Sequence, residues 1–137
     1  MTRFTTAFPW LSLCQAFWIA RIATAGFFMA HAIGRIVLGT IPRFAQFLDG
    51  LGFPAALAVV WAITVVELVA GLMIIARWQV RIAVVPLLAI AVGGIVLIHA
   101  RAGWFVGEHG VGGSEYSVAL IVLLLLIAGE DAERHKP

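Results

Sequence analysis

Three long apolar stretches constrain this chain more than any other feature of its sequence. They cover about residues 16–38, 54–76 and 81–99. Each can cross the roughly 30 Å hydrocarbon core of a bilayer, which takes about 20 helical residues. The chain is 63% hydrophobic and 12% charged, whereas soluble domains are about half apolar and about a quarter charged. A water-soluble fold of this size cannot bury so much apolar surface, so the sequence predicts an integral membrane protein.

A fourth, shorter apolar stretch ends at Gly129. Ser114 is suited to cap the start of this helix, and Glu115 would lie at the positive end of the helix dipole. We therefore expect a fourth span over about 114–131 and a single transmembrane domain over 1–137. The predicted fold class is all-α, an integral membrane four-helix bundle.

Basic residues determine the predicted orientation of the bundle. The termini and the loop between spans two and three share one side of the membrane and carry five Lys and Arg. The loops on the other side, about residues 39–53 and 100–114, carry two. By the positive-inside rule, this excess predicts that both termini are cytoplasmic.

Charge and cysteine content exclude several classes of function. Nine Lys and Arg are present with seven Asp and Glu, for a net charge of +2, and no basic run occurs. This balance argues against a nucleic-acid-binding surface. The single cysteine, Cys14, excludes an internal disulfide framework, a CxxC redox pair and a thiolate-ligated iron–sulfur cluster. Any electron-transfer role therefore requires a bound cofactor.

A stripe of polar residues marks one face of the first predicted span. Arg21, Thr24, Phe28, His31 and Arg35 follow one another at steps of three, four, three and four residues. This spacing brings them onto one side of a helix. An ionisable side chain at the bilayer centre costs at least about 3 kcal/mol on insertion scales, so such residues face a bundle interior and are paired or functional.

Glu67 is the carboxylate of the second predicted span. Because this span runs opposite to the first, we expect Glu67 near the level of Arg21 and predict an ion pair between Arg21 and Glu67. Two interpretations of the pair remain open. It either locks the register of two helices without a chemical role, or its carboxylate carries a proton beside the head group of a ligand.

A second polar group is predicted towards the outer side of the bundle. The candidate ligand-binding residues are His31, Arg35, His99 and Tyr116. Four further titratable residues belong to the same side of the membrane: Arg101, Glu108, His109 and Glu115. Histidine exchanges protons near neutral pH, so this outer group is the better candidate for chemistry.

Three kinds of cofactor can be considered for the outer group. Haem b requires axial ligands, and His31 with His99 is the one same-side pair on two helices, so haem b is the weaker candidate. A zinc or di-iron site requires clustered ligands such as Glu-x-x-His on facing helices, which the spans lack, and no metal is expected. A quinone or similar amphiphile remains, since its carbonyls accept hydrogen bonds from His, Arg or Tyr.

The order of these residues carries a family resemblance. The matching residues are Arg21, His31, Gly34, Arg35, Glu67, Leu68, Gly71, His99, Gly103, Trp104, Phe105, Glu115 and Tyr116. In this order and spacing, the chain resembles the DoxX family of small four-helix bacterial membrane proteins. The resemblance implies a bacterial inner-membrane location and membrane redox chemistry, because relatives include the quinone-reducing subunit of thiosulfate:quinone oxidoreductase and partners of redox or thiol-handling enzymes.

Two functions remain open from the sequence. The first is a quinone-interacting membrane subunit of an oxidoreductase, whose electrons come from a partner redox protein or a soluble substrate. The second is a non-catalytic membrane anchor or assembly factor, in which Trp104 and Phe105 contact the partner protein. A small transporter is the weaker third possibility, because the spans show no inverted repeat and few polar lining residues.

Overall fold

The computed structural model describes residues 10–106 and 112–136, and every regular element within these ranges is helical. The five α-helices are α1 (Leu13–Val37), α2 (Ile41–Gly50), α3 (Ala56–Ile75), α4 (Val80–Leu97) and α5 (Glu115–Arg134). A 3₁₀ turn over His99–Ala102 follows α4. The predicted all-α fold is confirmed, whereas the predicted number of helices is wrong.

Helix α2 is the element that the prediction lacks, since it lies in the segment 39–53, the predicted outer loop. Its buried residues are Ile41, Ala45 and Leu48. Their spacing of three to four positions gives α2 one apolar face, which packs on the start of α3 at Ala56 and Val60. A helix of 10 residues is too short to span a bilayer, so a search for long apolar stretches does not find it.

Helices α1, α3 and α4 are each long and apolar enough to cross a membrane. Helix α5 is not among these three, because Glu115 lies at its start and Glu130 and Asp131 lie near its end. It nevertheless belongs to the bundle core through residues such as Leu124. The described residues thus contain three candidate spans. The fourth span over 114–131 and the cytoplasmic position of both termini stay predictions.

A capping box begins α1. The Ser12 hydroxyl accepts a hydrogen bond from the Gln15 backbone N–H at 3.2 Å, and the Gln15 side-chain oxygen accepts one from the Ser12 N–H at 2.8 Å. These two bonds satisfy donors that a helix start otherwise leaves free. The first helix therefore begins at Leu13, ahead of the predicted span.

The four long helices form a ring in which α1 packs on α3, α3 on α4, α4 on α5, and α5 on α1. Gly71 of α3 lies so close to α1 that a Cβ at this position would overlap the side chain of Met29. Glu67, one turn earlier in α3, meets Arg35, which is later in α1. The two helices are therefore antiparallel. We call the end where α1 finishes and α3 starts the outer end, and the opposite end the inner end.

The predicted ion pair between Arg21 and Glu67 does not form. Arg21 pairs with Glu130 of α5, and Arg35 pairs with Glu67. Helical side chains tilt towards the N-terminus of their own helix. In antiparallel helices, Arg35 and Glu67 therefore tilt towards each other, whereas Arg21 tilts away from Glu67 to the inner end. The predicted Arg21–Glu67 pair is wrong because residue spacing reveals neither this tilt nor the position of the acidic end of α5.

Arg21 is buried at the inner end, where it is 2% exposed. Glu130 forms ion pairs with both Arg21 and Arg134. The Nε and Nη1 atoms of Arg21 have no hydrogen-bond partner within the described ranges. A second bridge, from Arg81 to Asp131 at 3.4 Å, connects α4 to α5. The acidic end of α5 thus compensates a guanidinium that the bundle buries.

We predict that Glu130→Ala lowers the free energy of unfolding by about 3–5 kcal/mol, because Arg21 would become a buried charge without its partner. Thermal unfolding of the detergent-solubilised protein, followed by circular dichroism, measures this loss. The control is Glu133→Ala, which removes an exposed carboxylate paired with Lys136 and should change stability by less than about 0.5 kcal/mol. Equal unfolding midpoints for the two variants would contradict the prediction.

Candidate functional site

A cavity of about 820 Å³ lies in the outer end of the bundle. All five helices contribute to its wall, and its volume falls within the roughly 300–1,000 Å³ that is usual for small-molecule sites. Most of the wall is apolar. Its aromatic residues are Phe28, Phe44, Phe47, Phe53 and Tyr116.

All four predicted ligand-binding residues line this cavity. They are His31, Arg35, His99 and Tyr116. Because they come from α1, the 3₁₀ turn and α5, the fold rather than the local sequence brings them together. Glu67 of α3 also lines the cavity, so this carboxylate belongs to the outer group and not to the level of Arg21. The ligand-binding role of these residues stays a prediction.

Helix α2 supplies a part of the wall that the sequence prediction missed. Its contribution consists of Thr40, which precedes the helix, and of Arg43, Phe44 and Phe47. The Phe44 and Phe47 rings are stacked, with centroids 6.3 Å apart. Residues at such spacing share one face of a helix. This periodicity within 39–53 is the signal that indicates a cavity-facing helix instead of a loop.

The ion pair between Arg35 and Glu67 is the charged part of the wall. The two side chains are 17% and 3% exposed. The Arg35 guanidinium carbon lies 5.9 Å from the centre of the Phe44 ring, which is within cation–π range. Removing either partner would leave an uncompensated charge in an apolar wall.

His31 is held by the backbone of its own helix. Its Nδ1 lies 2.9 Å from the carbonyl oxygen of Phe27, and its ring centroid lies 6.4 Å from that of Tyr116. Phe27 meets Tyr116 edge to face at 6.0 Å. The imidazole therefore has a defined orientation at the seam between α1 and α5, although His31 is an exposed residue.

His99 is held by a different segment. Its Nδ1 lies 2.6 Å from the carbonyl oxygen of Gly112, which is 13 residues later in the chain. Gly94 lies on the other side of the ring, and a Cβ built there would sit 3.8 Å from the His99 Nε2 atom. The histidine thus connects the end of α4 to the segment that leads into α5.

Backbone hydrogen bonds support this connection. The Ser114 N–H donates to the Gly103 carbonyl at 3.1 Å, and the Glu115 N–H donates to the Trp104 carbonyl at 3.0 Å. The Glu115 carboxylate accepts from the Val106 N–H at 2.9 Å. Residues 103–106 and 112–115 therefore form a braced pair of segments, which we call the outer brace.

Ser114, Glu115 and Arg101 do not have the roles expected from the sequence. Ser114 precedes α5 as predicted, but its hydroxyl donates to the Gly103 carbonyl at 3.3 Å instead of capping the helix. Glu115 has a structural role through its bond to Val106. Arg101 is exposed and is not among the cavity residues. Glu108 and His109, the other two residues predicted near this group, lie outside the described residues.

The cavity combines hydrogen-bond donors and acceptors with an aromatic wall. Arg43 and the Tyr116 hydroxyl can donate, whereas the Glu67 carboxylate and the imidazoles can accept. Within residues 10–106 and 112–136, no group of three or more His, Cys, Asp or Glu side chains is arranged to hold a metal ion. The arrangement is suited to an organic molecule with one polar end and one apolar end.

The chain was compared with protein families, curated proteins and solved structures. The DoxX family model matches residues 16–100, which include nearly all of α1 and the whole of α2, α3 and α4. No curated protein and no solved structure matches the chain. Taken with the three apolar helices, the family match identifies a multi-pass membrane protein.

We predict that Gly113→Ala displaces the outer brace, because a Cβ at this position would overlap the backbone of Trp104 and Phe105. Backbone atoms cannot move aside as a flexible side chain can, so we expect a loss of about 1–3 kcal/mol in stability. Gly129→Ala is the control, since nothing lies within 4 Å of a Cβ there. Thermal unfolding and tryptophan fluorescence compare the two. If Gly113→Ala has the unfolding midpoint and tryptophan fluorescence of the wild type, the close packing of the outer brace at Gly113 is contradicted.

Proposed function

This chain belongs to the DoxX family, and on that premise we propose that it is the membrane subunit of a quinone-linked oxidoreductase system, with a quinone or similar amphiphile bound in the cavity. The observation that carries this proposal is the set of residues that line the cavity. His31, Arg35, His99 and Tyr116 line it together with aromatic and aliphatic side chains. A quinone requires this combination, because its ring and tail are apolar and its two oxygens are polar.

The cavity wall offers separate surroundings for the two ends of such a molecule. Phe44, Phe47 and Phe53 suit a flat ring or an isoprenoid tail, since aromatic faces bury large apolar areas. Arg43 and the Tyr116 hydroxyl can donate hydrogen bonds to the polar oxygens of such a molecule. A ligand of this kind reaches the cavity from the bilayer, where amphiphiles are concentrated.

The electrons of the proposed reaction come from outside this chain. The sequence has one cysteine, and the described residues hold no metal-binding cluster. We therefore propose that a partner subunit or a soluble substrate delivers electrons to the bound quinone. In this scheme, the chain binds and orients the quinone.

Binding of a decyl-substituted benzoquinone to the protein in nanodiscs tests the proposal, with tryptophan fluorescence as the readout. We expect saturable binding. Glu67→Gln should weaken it about tenfold, because the Arg35 charge in the wall loses its partner. Asp49→Asn is the matched control, since this exposed carboxylate on α2 does not line the cavity.

Thermal unfolding of the same samples separates a binding defect from a folding defect. If the wild-type protein shows no saturable binding, the proposed function is rejected. If Glu67→Gln folds and binds like the wild type, the carboxylate has no role in holding the ligand.

The outer brace favours a second candidate function, a non-catalytic anchor for a partner protein. Trp104, Phe105 and Val106 are 54%, 51% and 44% exposed, and the brace holds their backbone by defined hydrogen bonds. Exposed aromatic residues on a fixed backbone are typical of docking surfaces. Such a surface is compatible with the quinone-linked function and also with a purely structural one.

We predict that the double substitution Trp104→Ser with Phe105→Ser releases a co-purifying redox protein while quinone affinity stays unchanged. Mass spectrometry of protein purified from native membranes identifies and quantifies the partner. Trp61→Ser is the control, because this tryptophan is exposed on α3, outside the brace. Partner recovery that is equal in both variants would exclude the brace as the docking surface.

A further inference from the structure

Both histidines of the cavity bond to backbone carbonyls through the same ring atom. The His31 Nδ1 faces the Phe27 oxygen at 2.9 Å, and the His99 Nδ1 faces the Gly112 oxygen at 2.6 Å. A carbonyl oxygen only accepts, so each Nδ1 must carry the proton and donate it. In a neutral imidazole the other nitrogen is then an acceptor. Each histidine therefore offers an Nε2 lone pair.

Both histidines belong to the cavity wall. The His99 Nε2 lies next to Gly94, which has no side chain to cover it, and both residues line the cavity. His31 is an exposed residue of the wall beside Tyr116. Two acceptors from different segments thus belong to one chamber.

The other charged and titratable groups of the wall include both donors and acceptors. Arg35 is paired with Glu67, which is itself an acceptor. Arg43 lies on α2, and Tyr116 lies at the start of α5. The described wall residues of α4 are aliphatic or glycine. The charged and titratable groups that share the wall with the imidazoles are therefore Arg35, Arg43, Glu67 and Tyr116.

We propose that the cavity binds the reduced, hydroxyl-bearing form of its amphiphile, a hydroquinone or related phenol, whose hydroxyl groups donate to Nε2 of His31 and His99. This inference rests on the proposed function and specifies which redox form of the ligand the cavity holds more tightly, namely the hydroquinone that quinone reduction produces. A quinone presents carbonyl lone pairs, which would face the Nε2 lone pairs of neutral imidazoles. A hydroquinone presents O–H donors to the same atoms. The two Nε2 acceptors consequently favour the reduced ligand.

Three ligands of equal chain length test this inference on the protein in nanodiscs at about pH 8, where an imidazole is ordinarily neutral. They are a decyl hydroquinone kept reduced without oxygen, its dimethyl ether, and the corresponding quinone. The ether keeps the ring and both oxygens but cannot donate. We expect the hydroquinone to bind about tenfold more tightly than the ether, as about one to two hydrogen bonds imply.

The outcomes separate this inference from the proposed function. Equal affinity for hydroquinone and ether overturns the inference but leaves a quinone-binding cavity. Failure of all three ligands to bind overturns both proposals. A preference for the hydroquinone over both the ether and the quinone supports the inference.

Two substitutions of His99 separate the Nε2 acceptor from the structural bond. His99→Asn places an amide N–H near the Nδ1 position, so the bond to Gly112 can persist while the acceptor is lost. His99→Gln places its amide near the Nε2 position. We expect the preference for hydroquinone over the ether, about tenfold in the wild type, to fall by a factor of about three in His99→Asn. The same preference should persist in His99→Gln. A preference that His31→Asn with His99→Asn leaves intact, with unfolding midpoints unchanged, would overturn the inference.

Discussion

The pairing of each guanidinium in the first helix with a carboxylate from another helix is the constraint on which this structure depends. An unpaired Arg within a bilayer is strongly disfavoured. Arg21 is matched by Glu130 and Arg35 by Glu67, so α1 is tied to α5 at the inner end and to α3 at the outer end. Each tie permits one register of its helix pair, because a shift of one turn would separate the charges. The bundle is thus defined by two charged contacts as well as by apolar packing.

The two ends of the bundle use their charges differently. At the inner end, Arg21 is enclosed by protein and is 2% exposed, so its pair with Glu130 acts as a structural lock. At the outer end, the Arg35–Glu67 pair borders the cavity, and α2 forms part of the wall of that cavity. A charged pair beside an apolar chamber creates a polar position to which the head group of an amphiphile can bind. The structural lock and the proposed ligand site therefore lie at opposite ends of the bundle.

Much of this arrangement follows from the sequence, and the exceptions have physical causes. The spacing of polar residues on α1 predicted that His31 and Arg35 share a face, and both line the cavity. The ion-pair prediction failed because spacing gives the level of an α-carbon, whereas the tilt of the side chain decides its partner. Helix α2 was missed because it is short and because its cavity-facing side carries Arg43 among aromatic residues. In the sequence, such a segment resembles an interfacial loop. The bond from His99 to a residue beyond α4 depends on the tertiary fold.

We propose that the cavity at the outer end, bordered by Arg35 and Glu67, holds an amphiphile. The most direct measurement is an experimental density map of the protein purified from native membranes with its bound molecules. We expect elongated density within the cavity, with its polar end at hydrogen-bond distance from His31 and His99 and its apolar end against Phe44. A chamber that contains only water, or one closed by side chains while lipid lies only outside the bundle, would contradict it.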